Sequence, residues 1–409
     1  MVVLLFTLID ISATKEILYF EICKKNIFFL RLLQYDSTKT IQFWDKRMDL
    51  QQILIPLTGK LRRTQAMSVI SSVHFLLIPF TLVMTTACNN TQQPQQPTYK
   101  TTGNVERLDP ALDAIIDTSA AIEIIAEGFQ WSEGPLWVET GQMLLFSDVP
   151  ANTIYKWTEK NGTEVYLQPS GYTGTEPTQS KEPGSNGLLL DSSGNLVLCQ
   201  HGDRQMARMD APLDKPKAAF TALASRYNGM RFNSPNDAVY SATGELFFTD
   251  PPYGLPAQND ADPTKEIPFN GVYKVTPYGD VILLTDSITR PNGIAFFPDG
   301  YTLLVASSDP NAANWYVLDV RNAPTNPTLF YSATDERRGL PGLPDGLKIT
   351  KNGIVFASGP GGVWVFSQAG DVLGKIKLDA AASNVALSAD EKTLYITNHQ
   401  QILRVALNQ

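Results

Sequence analysis

The sequence predicts an all-β chain folded as a six-bladed β-propeller. Three observations carry that expectation. A unit of about 50 residues recurs six times from Glu133 onward. Within each unit, short runs of β-branched and aromatic residues alternate with Gly, Asn and Asp turns, which is the composition of strands. No long window shows helical periodicity.

The units open at Glu133-Gly134-Pro135, Asn186-Gly187-Leu188, Asn236-Asp237-Ala238, Asn292-Gly293-Ile294, Asp345-Gly346-Leu347 and Asn384-Val385-Ala386. Each opening leads into a first strand. A second follows at 144–148, 196–198, 246–250, 303–305, 354–356 and 394–397. A third run stands at 154–157, 206–209, 272–275, 315–318, 363–366 and 402–405. A fourth often follows, as at 281–284. Four strands per unit, six times over, close into a propeller. The segment 105–125 is expected to supply the outer strand that completes the sixth blade. A pair of β-sandwiches, or a ring with another blade number, is the alternative.

Upstream of the repeats the chain changes character, giving three parts: 1–87, a polar tether at 88–104, and the propeller at 105–409. Lys and Arg total 33 against 41 Asp and Glu, for a net charge of −8. The upstream part is net basic and the body net acidic, which argues against nucleic acid as a partner. From Met48, an alternative start like Met67, Lys60, Arg62 and Arg63 precede an apolar stretch at 69–84 and then Thr85-Thr86-Ala87-Cys88. Basic, apolar, small, then cysteine is the order of a secretory signal with a lipoprotein-type cleavage site. Cys88 is therefore the expected lipidation site. The protein is expected to be exported, periplasmic and held at the membrane only through that lipid. A plain secretory signal and an uncleaved anchor are the alternatives, although Pro79 and His74 interrupt a stretch already short for a span. The segment Asn89 to Pro97 is polar and broken by proline, so it reads as a flexible tether. Three cysteines (Cys23, Cys88, Cys199) make no disulfide framework, and three histidines leave little for a zinc site.

The first residue of each unit is informative. Glu133, Asn186, Asn236, Asn292, Asp345 and Asn384 all carry a side-chain oxygen. Equivalent positions on the innermost strands of a propeller ring its channel, so these oxygens would converge. Two carboxylates with amide oxygens suit a hard divalent cation, calcium before zinc, magnesium or manganese. Asn-Gly and Asp-Gly are also common turn dipeptides, so turn chemistry competes for four of the six. It does not account for Glu133, nor for oxygens at one phase of every unit. Cys199, in a strand run, reads as a core thiol. His201 follows that strand at a position able to face the channel, and His399 follows the second strand of the last unit. Phe129 and Trp131 read as inter-blade packing first and channel mouth second.

Several segments together resemble the senescence marker protein, gluconolactonase and luciferin-regenerating enzyme-like family. They are Ser132-Glu133-Gly134-Pro135, Phe146-Ser147-Asp148-Val149-Pro150, Ser234-Pro235-Asn236-Asp237, Phe248-Thr249-Asp250-Pro251-Pro252-Tyr253-Gly254, Arg290-Pro291-Asn292-Gly293 and Pro344-Asp345-Gly346. Cys199-Gln200-His201-Gly202-Asp203-Arg204 is similar to a stretch of bacterial members. The resemblance implies a six-bladed propeller with one divalent metal in the channel. It assigns Glu133, Asn292 and Asp345 as core ligands and Asn236 as a further contact to metal or substrate. Asp345 matches the general base or acid. Some members place an arginine two residues before that asparagine. Ser234 stands there, and the nearest arginine is Arg231. Arg231, Asn186, His201 and Asn236 are thus the expected substrate contacts.

The implied function is metal-dependent hydrolysis of a small-molecule lactone or ester, a sugar lactone among them, with Asp345 removing a proton from water. A sugar- or partner-binding propeller without chemistry, and a phosphotriester hydrolase on the same scaffold, are the alternatives. No Gly-x-Ser-x-Gly elbow, Walker loop or Gly-x-Gly-x-x-Gly occurs, so an elbow esterase and nucleotide binding lack support.

Overall fold

The computed structural model describes residues 99–321 and 323–408, together with the backbone of four upstream strands, Leu5–Ile11, Thr14–Cys23, Ile27–Tyr35 and Ile41–Met48. Those four pair as one antiparallel meander. The signal-like segment, Cys88 and the tether as far as residue 98 lie outside the described residues.

From Ser132 onward the chain forms six antiparallel blades in sequence order. Blade one is Ser132–Val138, Met143–Asp148, Thr153–Thr158 and Gly162–Leu167. Blade two is Ser185–Leu190, Leu196–Gln200, Gln205–Met209 and Phe220–Ala224. Blade three is Ala238–Tyr240, Leu246–Asp250, Gly271–Val275 and Val281–Thr285. Blade four is Pro291–Phe296, Thr302–Asp309, Ala312–Asp319 and Thr328–Ser332. Blade five starts with Leu347–Ile349, Val355–Gly359, Gly362–Phe366 and Val372–Lys377, and blade six with Ala382–Leu387, Thr393–Asn398 and Gln401–Ala406. First strands of neighbouring blades touch one another, so they are the channel wall. The first and second strands stand where the sequence pattern puts them.

The ring closes as expected, and with one addition. Glu123–Glu127 pairs with Gln401–Ala406 as the fourth strand of blade six, and Arg404 Nε donates to Glu123 Oε2 at 2.9 Å across that seam. Lys100–Thr101 adds a fifth strand outside it. Asn104–Arg107 turns instead to blade five and pairs with Val372–Lys377. Ordered sheet therefore reaches back to Lys100, inside the stretch read as tether. Between these strands a 3-10 turn at Pro110–Ala114, capped by the Asp109 carboxylate, buries Leu112 completely.

Alternation along the strands sends one face of each blade against the next. One apolar cluster fills each gap between neighbouring blades. Between blades four and five, Trp315, Trp364 and Phe366 are fully buried and pack edge to face and offset. Burying each such side chain is worth roughly 1.5–3 kcal/mol. These gaps fix the first strands and so fix what the strands carry into the channel.

Candidate active site

Hydrogen bonds between neighbouring first strands identify the equivalent positions around the channel. Gly187 N donates to Asn236 O at 2.7 Å, and Gly346 N donates to Ser383 O at 2.7 Å. Second-strand hydroxyls reach the next blade in the same way. Ser147 Oγ donates to Asn186 O at 2.9 Å, Thr249 Oγ1 to Asn292 O at 2.7 Å and Ser358 Oγ to Ser383 O at 2.8 Å. A Cβ on Gly134 would collide with Asn186 O, and one on Gly293 with Asp345 O. The ring position is thus Glu133, Asn186, Asn236, Asn292, Asp345 and Ser383.

The sequence-based list is one residue out in blade six. Asn384 occupies the position that is glycine in blades one, two, four and five, and its counterpart is Asp237. Both carboxyl-type oxygens accept the next backbone N–H: Asp237 Oδ1 from Ala238 N and Asn384 Oδ1 from Val385 N, each at 2.8 Å. Both backbone N–H groups face a threonine hydroxyl, Thr249 at 3.3 Å and Thr397 at 2.9 Å. Asn384 spends its oxygen on its own strand, so it does not offer one to the channel. Ser383, at the ring position, donates to Ser132 O at 2.6 Å and closes the circle of inter-blade bonds.

Five ring residues line a cavity of about 360 Å³: Glu133, Asn186, Asn236, Asn292 and Asp345. Trp131, Glu182, Tyr253 and Ser308 complete its polar lining, while Gly342, Leu343, Ala381 and Ala382 form a small, apolar part. Glu133 is 2% exposed, and burial pushes its carboxyl up to about 8. The Gly134 N–H, 3.0 Å from Oε2, opposes that rise, and the charges of Asp237 and Glu182 reinforce it. Burial, and then the neighbouring Glu133 charge, hold the Asp345 carboxyl well above the usual range. Asn292 Nδ2 donates to Ser308 Oγ at 2.9 Å, which fixes the amide's orientation and leaves Oδ1 as the free acceptor.

Buried oxygens without a donor mark what the cavity lacks. Asp345 Oδ1 and Asn186 Oδ1 have no hydrogen-bond partner. A buried acceptor left unpaired costs roughly 1–3 kcal/mol. Two mutually repelling carboxylates beside such oxygens fit a hard cation, whose charge would reverse the upward push on both acids. Among the described residues no three His, Cys, Asp or Glu side chains could hold a metal together. The asparagine oxygens must therefore complete any ligand set, which suits calcium-like chemistry rather than zinc.

The other expected contacts divide. Asn186 and Asn236 line the cavity, but His201 and Arg231 do not. Arg231 belongs to a two-strand hairpin, paired with Arg226, where its N–H donates to Glu266 Oε2 at 2.7 Å. His201 is fully buried behind the cavity wall, its Nδ1 3.8 Å from Glu182 Oε2. Burial drives its imidazole down to about 3, so it is neutral. Cys199 is a buried free thiol, as read from its strand. Trp131 lines the cavity and sits edge-on to His399 at 5.4 Å, whereas Phe129 packs against Phe146 and Tyr155. Sequence reasoning missed Glu182 and Tyr253. Tyr253 stands in the quoted Asp250-Pro251-Pro252-Tyr253-Gly254 segment, which was a signal. Glu182 sits in the long loop between blades one and two and carries no periodic mark.

A six-bladed propeller with acids and amides converging in one buried channel cavity defines a class of catalytic propellers. Residues 131–400 match the SMP-30/Gluconolactonase/LRE-like region, and the chain belongs to that family of gluconolactonase-like lactone hydrolases. It is 38% identical over 355 residues to a gluconolactonase of Zymomonas mobilis, covering 85% of this chain and 98% of the relative. The solved gluconolactonase of Xanthomonas campestris aligns at 28% identity with a TM-score of 0.64, covering 76% of this chain and 99% of that one. The calcium-binding regucalcin of Agrobacterium tumefaciens shares the fold, at 17% identity and a TM-score of 0.53, over 70% of this chain and 94% of that one.

Proposed function

We propose that the chain is a metal-dependent lactonase that opens a sugar-type lactone in the channel cavity. The observation that carries this reading is the convergence of Glu133, Asn236, Asn292 and Asp345 beside unpartnered buried oxygens. The extended similarity to a gluconolactonase supports the substrate class. Glu133, Asn292, Asp345 and Asn236 would hold the cation, with calcium the preferred ion for an all-oxygen set. When bound, the cation polarises the lactone carbonyl and stabilises negative charge on its oxygen. Asp345 takes the proton of the attacking water through its second oxygen. Asn186 Oδ1 accepts a substrate hydroxyl. The order of residues before Cys88 further supports export and lipid attachment at that cysteine.

The test is a screen of δ-lactones, aryl esters and phosphotriesters, with chelator and with added cation, on wild type, Asp345→Asn and Glu133→Gln. Lactones should be the preferred class, and chelator should abolish turnover. Asp345→Asn should lose about 10²-fold or more at saturating metal, the usual size of a lost acid–base group. Glu133→Gln should recover in part with excess metal. Full activity of Asp345→Asn, or preference for phosphotriesters, overturns the reading.

A further inference from the structure

Glu182 is the third carboxylate on the cavity wall, after Glu133 and Asp345, and it differs from both in its setting. Glu133 stands on the first strand of blade one, and Asp345 stands two residues before the first strand of blade five. Glu182 comes from the loop between Gly162–Leu167 and Ser185–Leu190. Its side chain keeps 23% of its surface exposed. Oε1 accepts from Gln258 Nε2 at 3.0 Å, and Gln258 in turn donates to Tyr253 O at 3.2 Å. Oε2 faces His201 Nδ1 at 3.8 Å, and neither nitrogen of that buried ring has a hydrogen-bond partner. Gly254 makes room for this arrangement, because a Cβ there would meet His201 Cβ at 2.6 Å. A carboxyl steadied through one oxygen, with a buried neutral imidazole beside the other, and open to both cavity and solvent is placed to exchange a proton. Burial raises its carboxyl above the usual carboxylate range.

We propose that Glu182 is a second catalytic residue, the general acid that protonates the departing ring oxygen of the lactone, and that His201 positions it. The inference rests on the lactonase reading above. Water adds to the carbonyl carbon, the carbonyl π pair moves onto its oxygen, and the water proton goes to Asp345. On collapse that pair restores the C=O bond and the bond from carbon to ring oxygen breaks. The Glu182 proton passes to the ring oxygen, which leaves as a hydroxyl. Solvent returns a proton to Glu182, while the proton held by Asp345 is released. The sum is lactone plus water giving a hydroxy acid. His201 Nδ1, 3.8 Å from Oε2, stands beside the ionised Glu182 left behind. An alkoxide leaves poorly without a proton, whereas a phenoxide leaves unaided, so need for the acid scales with leaving-group basicity.

The experiment compares wild type, Glu182→Gln and His201→Gln on an aliphatic δ-lactone and on dihydrocoumarin, an aryl lactone, across pH. Glu182→Gln keeps the bond with Gln258 and the side-chain shape. It should lower kcat on the aliphatic lactone by about 10²–10³-fold, change dihydrocoumarin turnover by less than about fivefold, and remove the fall in kcat on the alkaline side. His201→Gln should shift that alkaline limb without removing it. Thermal unfolding of both variants, with cation bound, separates loss of fold from loss of chemistry. Equal losses on the two lactones, or an alkaline limb that survives in folded Glu182→Gln, overturn the acid role and leave the lactonase reading standing. A wild type that opens neither lactone, with or without cation, overturns both.

Discussion

Gly346 tests the assignment of the second tier of the channel. Its φ lies outside the left-handed region, so alanine meets no backbone strain there. A Cβ at Gly346 would instead overlap the Asn384 carboxamide, the side chain that the glycine position of blade five makes room for. Gly346→Ala must therefore displace Asn384. That breaks the 2.8 Å bond from Val385 N to Asn384 Oδ1 and leaves a buried donor unpaired, at about 1–3 kcal/mol. Crowding by one methyl group in a packed wall adds about 1–3 kcal/mol. The expected total is about 2–6 kcal/mol. Asn384→Gly alone should cost about 1–2 kcal/mol, mostly for lost hydrogen bonding. The double variant moves the side-chain volume from one blade to the next, so it should be more stable than Gly346→Ala alone. A coupling of about 1–3 kcal/mol is expected. Equilibrium urea unfolding of the four proteins, with m-values checked for constancy, measures it. A wild-type midpoint for Gly346→Ala, or strict additivity in the double variant, would refute the placement of Asn384.

Two further predictions concern charge and location. With chelator present, Glu133 holds its proton in the folded protein up to about pH 8 but gives it up near 4.5 when unfolded. The folded state binds more protons in that window, so this contribution to stability is full below about pH 4.5 and is lost as pH rises to 8. Denaturant midpoints should be lower at pH 8 than at pH 5 for metal-free wild type, Glu133→Gln should shrink that difference only in part because Asp345 and Glu182 are also held above the usual range, and calcium should reduce it; equal wild-type midpoints would count against the buried charge. For the upstream region, expression from Met48 in a bacterial host should send wild type to the membrane fraction and Cys88→Ala to the soluble periplasm. Identical fractionation would end the lipidation proposal.

The blades were legible because each repeats the same run of apolar strands and turns, and because inter-blade packing demands that repetition. Glu133, Asn292 and Asp345 were legible for the same reason, since ring positions inherit the repeat phase. Asn384 misled because Asn-Val in blade six imitates the Asn-Gly openings elsewhere. The true ring residue, Ser383, acts through a hydroxyl that donates to Ser132 O, and nothing in a sequence distinguishes that hydroxyl from any other. The closing strand at Glu123–Glu127 fell within the expected stretch to within two residues. The turn of Asn104–Arg107 toward blade five was not legible, because it depends on Leu112 filling the gap between blades five and six. Glu182 and Arg231 show the same limit from opposite sides. Both lie between blades, where no period exists, and only the folded loops decide that one lines the cavity and the other does not.

The serine at the ring position of blade six also breaks the symmetry of the channel. A round ion can sit at the centre of identical arms, but such a site gives an approaching molecule no preferred heading. Here one arm is withdrawn, and Ala381, Ala382, Gly342 and Leu343 line the wall beside it, while the carboxyl and carboxamide groups occupy the rest. The basin therefore has a compass built into its lining: Glu182, Asn186 and Asn236 contribute polar groups, and the alanines contribute none. One shortened side chain among six thus gives the receptacle an unequal, handed lining in place of a symmetric one.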